Sequence, residues 1–186
     1  MERIFILDRS GSMETCLDDT IGGFNAFARD QVPFGGTLSL VLFDHEYTPV
    51  YTRKPIADVE PLNHETYKPR GSTALLDAIG RTIKDNWNRN TPTVIILTDG
   101  QENSSHTHTK AHIKDLIEER QRAGWNFVYL GANQDAFAEA GSIGIAPTAT
   151  MNYDVRRTPE AFATLSAALS QAASTTQPVD FSQPIA

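Results

Sequence analysis

Ile4-Phe5-Ile6-Leu7-Asp8-Arg9-Ser10-Gly11-Ser12 is the stretch whose reading decides the fold. Its first four residues are continuously apolar rather than alternating, the pattern of a strand covered on both faces of a sheet. The run then stops at an acid and two hydroxyls. A buried strand ending in such a loop aims several oxygens at one point, and hard divalent cations such as Mg²⁺ take oxygen ligands at short distance. Aspartate, serine and glycine also build ordinary turns, so the meaning of these residues depends on what the chain brings beside them.

Working outward, Ile21, Phe24, Phe27 and Ala28 recur at helical spacing and predict a helix over residues 15–31, with Asp18 and Asp19 suited to its N-terminal half. Gly22-Gly23 costs that helix about 1 kcal/mol per glycine relative to alanine, so close packing against a neighbour is expected there. Residues 38–43 form a second strand. Residues 50–56 follow too soon for a crossover helix, which makes the two an antiparallel hairpin with the Pro55-bearing member at an edge. After a loop over 57–70, a helix carries Leu75, Leu76, Ile79, Ile83 and Trp87 on one face, with Ser72 or Thr73 as its cap.

Residues 93–98 repeat the opening layout: Val94-Ile95-Ile96-Leu97 is continuously apolar, and the strand ends at Asp99-Gly100-Gln101-Glu102-Asn103. A helix with Ile113, Leu116 and Ile117 follows, closed by Gly124. Then come a strand at 127–130, a short helix with Phe137, an edge strand near 149–153, and a last helix opened by Thr158-Pro159-Glu160. The alternation predicts a three-layer α/β domain over residues 1–175, a doubly wound, Rossmann-like and mostly parallel sheet with one antiparallel edge strand. Residues 176–186, rich in Ser, Thr, Gln and Pro, read as a flexible tail. Right-handed crossovers place the loops that follow the strands at one end of the sheet, where such sheets bind ligands.

Composition narrows the function classes. With 186 residues the chain is one domain, and its net charge of −7 disfavours nonspecific binding to nucleic acid or an anionic membrane. One cysteine, Cys16, allows no internal disulfide and reads as a small buried apolar residue. No signal-peptide pattern and no run of transmembrane length is visible. A cytoplasmic location is the expectation.

Three segments meet at the binding end of the predicted sheet: Asp8, Ser10 and Ser12 after the first strand, Thr73 at a helix start, and Asp99 after the strand at 93–98. Here the chain resembles the von Willebrand factor A (vWA) family, whose metal-ion-dependent adhesion site (MIDAS) is written D-x-S-x-S, then a separate Thr, then a separate Asp. The resemblance runs from residue 4 to about residue 173 and extends to Gly71-Ser72-Thr73-Ala74-Leu75 and Thr98-Asp99-Gly100. The chain also looks like the stand-alone vWA proteins of bacteria and their phages. The resemblance implies a vWA-like fold in which Ser10 and Ser12 bind the ion directly, Thr73 directly or through water, and Asp8 and Asp99 mostly through water. It implies Mg²⁺, with Mn²⁺ or Ca²⁺ as alternatives, and a protein partner whose Glu or Asp completes the coordination. The residue types agree, because neutral hydroxyls leave much of the ion's charge unquenched and so attract an outside anionic oxygen.

Other readings start from the same residues. A phosphatase of the haloacid dehalogenase type also begins with a strand, an Asp and Mg²⁺, but it normally carries a second Asp two residues on as acid and base, and Ser10 stands there. No Walker sequence or nucleophile elbow appears either, so no enzyme is expected. A permanent scaffold subunit of a larger assembly is the further alternative. His106, His108 and His112 offer zinc-type donors, with the last two one turn apart, but Thr109 occupies the place where a metalloprotease helix needs Glu. An exposed polar loop is expected there. Glu102 and Asn103 read as a solvated loop or the rim of the site, and Arg9 as a contact for a partner's carboxylate or for a neighbouring acid. Residues 131–135 read as part of a ligand surface or, more simply, as a cap by Asn133. Trp87 and Trp125 read as packing residues.

Overall fold

The computed structural model describes residues 1–132, 135–175 and 177–182. Its strands are β1 (Glu2–Asp8), β2 (Thr37–Phe43), β3 (Tyr47–Pro55), β4 (Thr93–Thr98), β5 (Asn126–Ala132) and β6 (Thr150–Tyr153). They form one sheet in the order β3-β2-β1-β4-β5-β6. Every pairing is parallel except β2 with β3, the expected antiparallel edge hairpin. The α-helices are α1 (Leu17–Gln31), α2 (Leu75–Asp85), α3 (Lys110–Arg122), α4 (Ala136–Ser142) and α5 (Thr158–Thr175). The beginning of the first predicted helix is instead a 3-10 segment, Gly11–Cys16, that runs into α1. No helix among the described residues is long and apolar enough to cross a membrane.

The continuous apolar strands serve two cores at once, as side-chain alternation requires. Phe5 and Leu7 of β1 face α1 and α5, while Ile4 and Ile6 face α2, α3 and α4. All four are fully buried, and each contributes about 1.5–3 kcal/mol on the usual scale for such side chains. Phe5 meets Phe24 and Phe27 edge-on, with centroids 5.6 and 5.5 Å away, and stacks on Phe162 at 6.0 Å. The close approach expected at the glycine pair belongs to Gly23 alone. A β-carbon there would lie 2.3 Å from the Phe162 ring of α5, whereas at Gly22 it would meet nothing within 4 Å.

Two features lie outside the apolar pattern. Arg3 is fully buried at the start of β1, donating to Gln31 Oε1 at 3.2 Å and to the Gly35 carbonyl at 2.9 Å. The Gln31 amide in turn donates to the Ser166 carbonyl at 3.1 Å, so one polar network joins β1, α1 and α5. In the segment read as a flexible tail, Val179 is buried against the α1/α5 core and the Phe181 N–H donates to the Thr148 carbonyl at 2.8 Å. The cap expected of Asn133 lies outside the described residues; at the start of α4 it is Asp135 that accepts the Ala138 N–H, at 3.1 Å.

From β1 the chain moves outward to β2 and β3, then returns to the other side of β1 as β4. The C-terminal ends of β1 and β4 therefore flank the point where the winding reverses, which is where sheets of this kind open a crevice. Asp8 ends β1, and Asp99 directly follows β4.

Candidate metal centre

Asp8 is fully buried, and both of its carboxylate oxygens are engaged. Oδ1 accepts the Ser10 N–H at 2.6 Å, and Oδ2 accepts the Thr98 hydroxyl at 2.5 Å. Burial raises its pKa to about 6; these two bonds oppose the rise and the nearby Asp99 charge adds to it. The Asp8 carbonyl accepts the hydroxyl of Tyr67, itself fully buried, at 2.5 Å. The end of β1 is thus held on three sides before the loop begins.

The loop after Asp8 turns the two serine hydroxyls the same way. Ser10 Oγ and Ser12 Oγ lie 3.1 Å apart, and Ser12 Oγ donates to Asp99 Oδ1 at 2.6 Å. Burial also raises the Asp99 pKa, against the pull of the Ser12 bond. The loop is stitched to the segment before α2: Gly11 N–H donates to the Gly71 carbonyl at 3.1 Å, and Arg70 N–H to the Arg9 carbonyl at 2.8 Å. Gly71 has φ +67, and a β-carbon there would lie 2.2 Å from the His45 ring. Only glycine suits that crossing.

Thr73 arrives two residues later, buried. Its position against both serines is fixed by Gly100: a β-carbon on Gly100 would lie 2.8 Å from Thr73 Oγ1 and 3.4 Å from each of Ser10 Oγ and Ser12 Oγ. The three hydroxyls therefore surround a space that a side chain at position 100 would fill. All five residues singled out in the sequence, Asp8, Ser10, Ser12, Thr73 and Asp99, come together here.

What holds Thr73 was not legible. Neither Ser72 nor Thr73 caps α2; the cap position is Ala74, with no side-chain bond of its own. The orphan N–H groups of Leu76 and Asp77 go instead to Glu102 Oε2 at 2.9 Å and Ser105 Oγ at 3.1 Å. Asn103 Oδ1 accepts the Thr73 N–H at 2.9 Å, and Asn103 N–H returns a bond to the Thr73 carbonyl at 3.0 Å. Glu102, half-buried, and Asn103, exposed, thus brace the site from its rim. Capping from a distance leaves the Thr73 hydroxyl unspent. The available signal was an acid and an amide close behind Asp99.

Arg9 resolves to the neighbouring acid. Its Nε lies 2.9 Å from Asp44 Oδ2, which Arg70 Nε shares at 2.9 Å, and Arg70 also bonds Glu46. The histidines of the 106–112 stretch do not gather around an ion: His108 Nδ1 lies 3.1 Å from Asp77 Oδ1, and its ring stacks on His112 at 5.2 Å. Among the described residues there is no group of three or more His, Cys, Asp and Glu side chains placed to hold a metal. Trp125 is buried and stacks on Phe127 at 6.1 Å, while Trp87 stays 37 % exposed under Arg120.

The donor set is oxygen only. Two carboxylates disfavoured as anions by burial, three convergent hydroxyls and a bare Cα between them fit a hard divalent cation, which would relieve the burial cost of both charges. Ser12 and Gly11 are exposed, so the cradle opens to solvent.

No protein-family model matches the sequence, and no curated protein does. Solved structures do match in fold. The vWF domain of the type V pili tip protein Mfa5 from Porphyromonas gingivalis has TM-score 0.70 at 11 % identity, with 92 % of this chain and 95 % of that one covered. Proximal thread matrix protein 1 from the mussel byssus, with a zinc-occupied MIDAS motif, has TM-score 0.65 at 18 % identity over 89 % of this chain. This chain spans 44 % of that protein's length. The manganese-loaded TRAP protein of Plasmodium vivax has TM-score 0.60 at 18 % identity, covering 86 % of this chain and 71 % of that one. The chain has the vWA fold.

Proposed function

We propose that this protein is a metal-dependent interaction module whose complete MIDAS binds an acidic side chain of a protein partner. The observation that carries the proposal is the convergence of Ser10, Ser12 and Thr73 hydroxyls on the bare face of Gly100, with Asp8 and Asp99 behind them. Ser10, Ser12 and Thr73 would hold the ion through neutral oxygens, and Asp8 and Asp99 would balance its charge, mostly through water. Mg²⁺ suits this set because it keeps water ligands and demands octahedral oxygen geometry; Mn²⁺ would substitute. A bound ion supplies a concentrated positive charge with an open position. On a chain of net charge −7, that charge is what would draw a partner's Glu or Asp to this edge.

The proposal assigns no catalysis, since Ser10 stands where a phosphoryl-transfer aspartate would need its acid and base. It takes the protein as acting in the cytoplasm, on the model of stand-alone vWA proteins from bacteria or phages, with permanent docking in a larger assembly as one form of the same function. The test is a pull-down from cell extract with Mg²⁺ or with EDTA, run beside Asp8→Ala and Asp99→Ala. Partner capture that needs the ion and both aspartates supports the reading. Capture unchanged by chelator, or turnover of generic phosphate esters with Mg²⁺, overturns it.

A further inference from the structure

A groove of about 710 Å³ opens at His45 and Ala74 and runs down α2 past Asp77, Arg81 and Lys84. Ala74 is the neighbour of Thr73, so the groove begins where the proposed ion site ends. The wall opposite α2 is formed by His45, Glu46 and Tyr47, whose ring lies under Arg81.

The groove's charges are mostly engaged. His45 lies 3.4 Å from Asp44, and Asp77 accepts the Thr107 and His108 N–H groups as well as facing the His108 ring. Arg81 pairs with Asp85 at 3.6 Å and lies over the Tyr47 ring at 4.3 Å. Lys84 is the exception: it is exposed, and among the described residues no acid lies within ion-pair distance of it. Lys84 also borders a second hollow of about 200 Å³ between α2 and α3, lined by Gly80, Ile83, Trp87 and Leu116. An unpaired cation thus stands between a polar groove and an apolar one.

We propose that the partner of the metal site is an extended peptide segment with two carboxylates, the first completing the ion's shell and the second pairing with Lys84. This rests on the metal-site reading. The rise of α2 from Leu75 to Lys84 is about 14 Å, which an extended chain spans in about four residues, so the two acids stand at least four residues apart. An apolar side chain just beyond the second acid enters the hollow beside Trp87.

The test is selection of random peptides carrying one fixed glutamate on the immobilised full chain, with Mg²⁺ and with EDTA, for wild type and for Lys84→Glu. The expected result is that Mg²⁺-dependent binders carry a second acid at the predicted spacing. Lys84→Glu weakens those binders about tenfold and selects a basic residue at the same place, with Mn²⁺ affinity by calorimetry unchanged. Trp87 fluorescence should respond to binders with the apolar residue and not to the ion alone. Mg²⁺-dependent binders without the second acid, or with a profile indifferent to Lys84→Glu, overturn the groove and leave the metal reading standing. Binders indifferent to Mg²⁺, or none at all, overturn the metal reading and the groove with it.

Discussion

Asn103 and Thr73 grip each other in both directions, side-chain carbonyl to N–H at 2.9 Å and N–H to carbonyl at 3.0 Å. Only the first of these bonds depends on the asparagine side chain. Asn103→Ala should therefore loosen the Thr73 hydroxyl without unfolding the loop, lowering Mn²⁺ affinity by about 10-fold, in the range seen when residues behind a metal ligand are lost. Calorimetric titration measures this. Asn103→Asp keeps the acceptor and should retain most of the affinity.

Gly100→Ala asks whether the space between the hydroxyls is needed. The added methyl would stand 2.8 Å from Thr73 Oγ1, in the gap that the proposed ion would occupy. Gly100 has no left-handed backbone, so the substitution carries no conformational strain of its own. The expected outcome is a normal circular dichroism spectrum with Mn²⁺ binding lost in an electron paramagnetic resonance titration.

The Asp8 carboxyl makes the metal-free protein pH-sensitive in a direction opposite to that of a salt-bridged acid. Its pKa is raised to about 6 in the folded chain, so its protonated form is the one the fold favours. That contribution, about 3 kcal/mol by linkage, is full below the unfolded pKa near 4 and is lost as pH rises to about 6. With EDTA present, wild type should lose melting temperature relative to Asp8→Asn across this window. Saturating Mg²⁺ should abolish the loss. Proton competition should weaken Mn²⁺ binding below about pH 6.

The glycine pair of α1 separates a helix cost from a packing need. Gly22→Ala meets nothing and should stabilise the protein by about 0.5–1 kcal/mol through helix propensity. Gly23→Ala drives a methyl into the Phe162 ring and should destabilise it by about 1–3 kcal/mol. Urea unfolding of the two variants gives opposite signs if this contact sets α5 on α1.

The α/β architecture was legible because fully buried strands leave continuous apolar runs, and because the short step from β2 to β3 excluded a crossover. The candidate site residues were legible because they gather at the ends of β1 and β4 and at the start of α2. Their supports were not. Glu102 and Asn103 act through side-chain bonds to backbone about 30 positions away, which no periodicity records. Tyr67 reaches Asp8 from a loop with no pattern at all. Arg3 shows the converse: a charged letter opens a core strand, and its partner Gln31 is visible only once α1 has packed.

The three segments of the candidate site also fix when it can come into being. Ser12 and Asp99 are 87 positions apart and Asp8 and Thr98 are 90, so their contacts form only after β1 and β4 lie side by side. Closing chain loops of that length costs entropy before any contact repays it. An ion added to the unfolded chain would find only Asp8, Ser10 and Ser12 near one another, too few of the proposed donors to nucleate folding. On the proposed reading an ion would enter last and hold what is already assembled, so its retention would mark a chain that has finished folding.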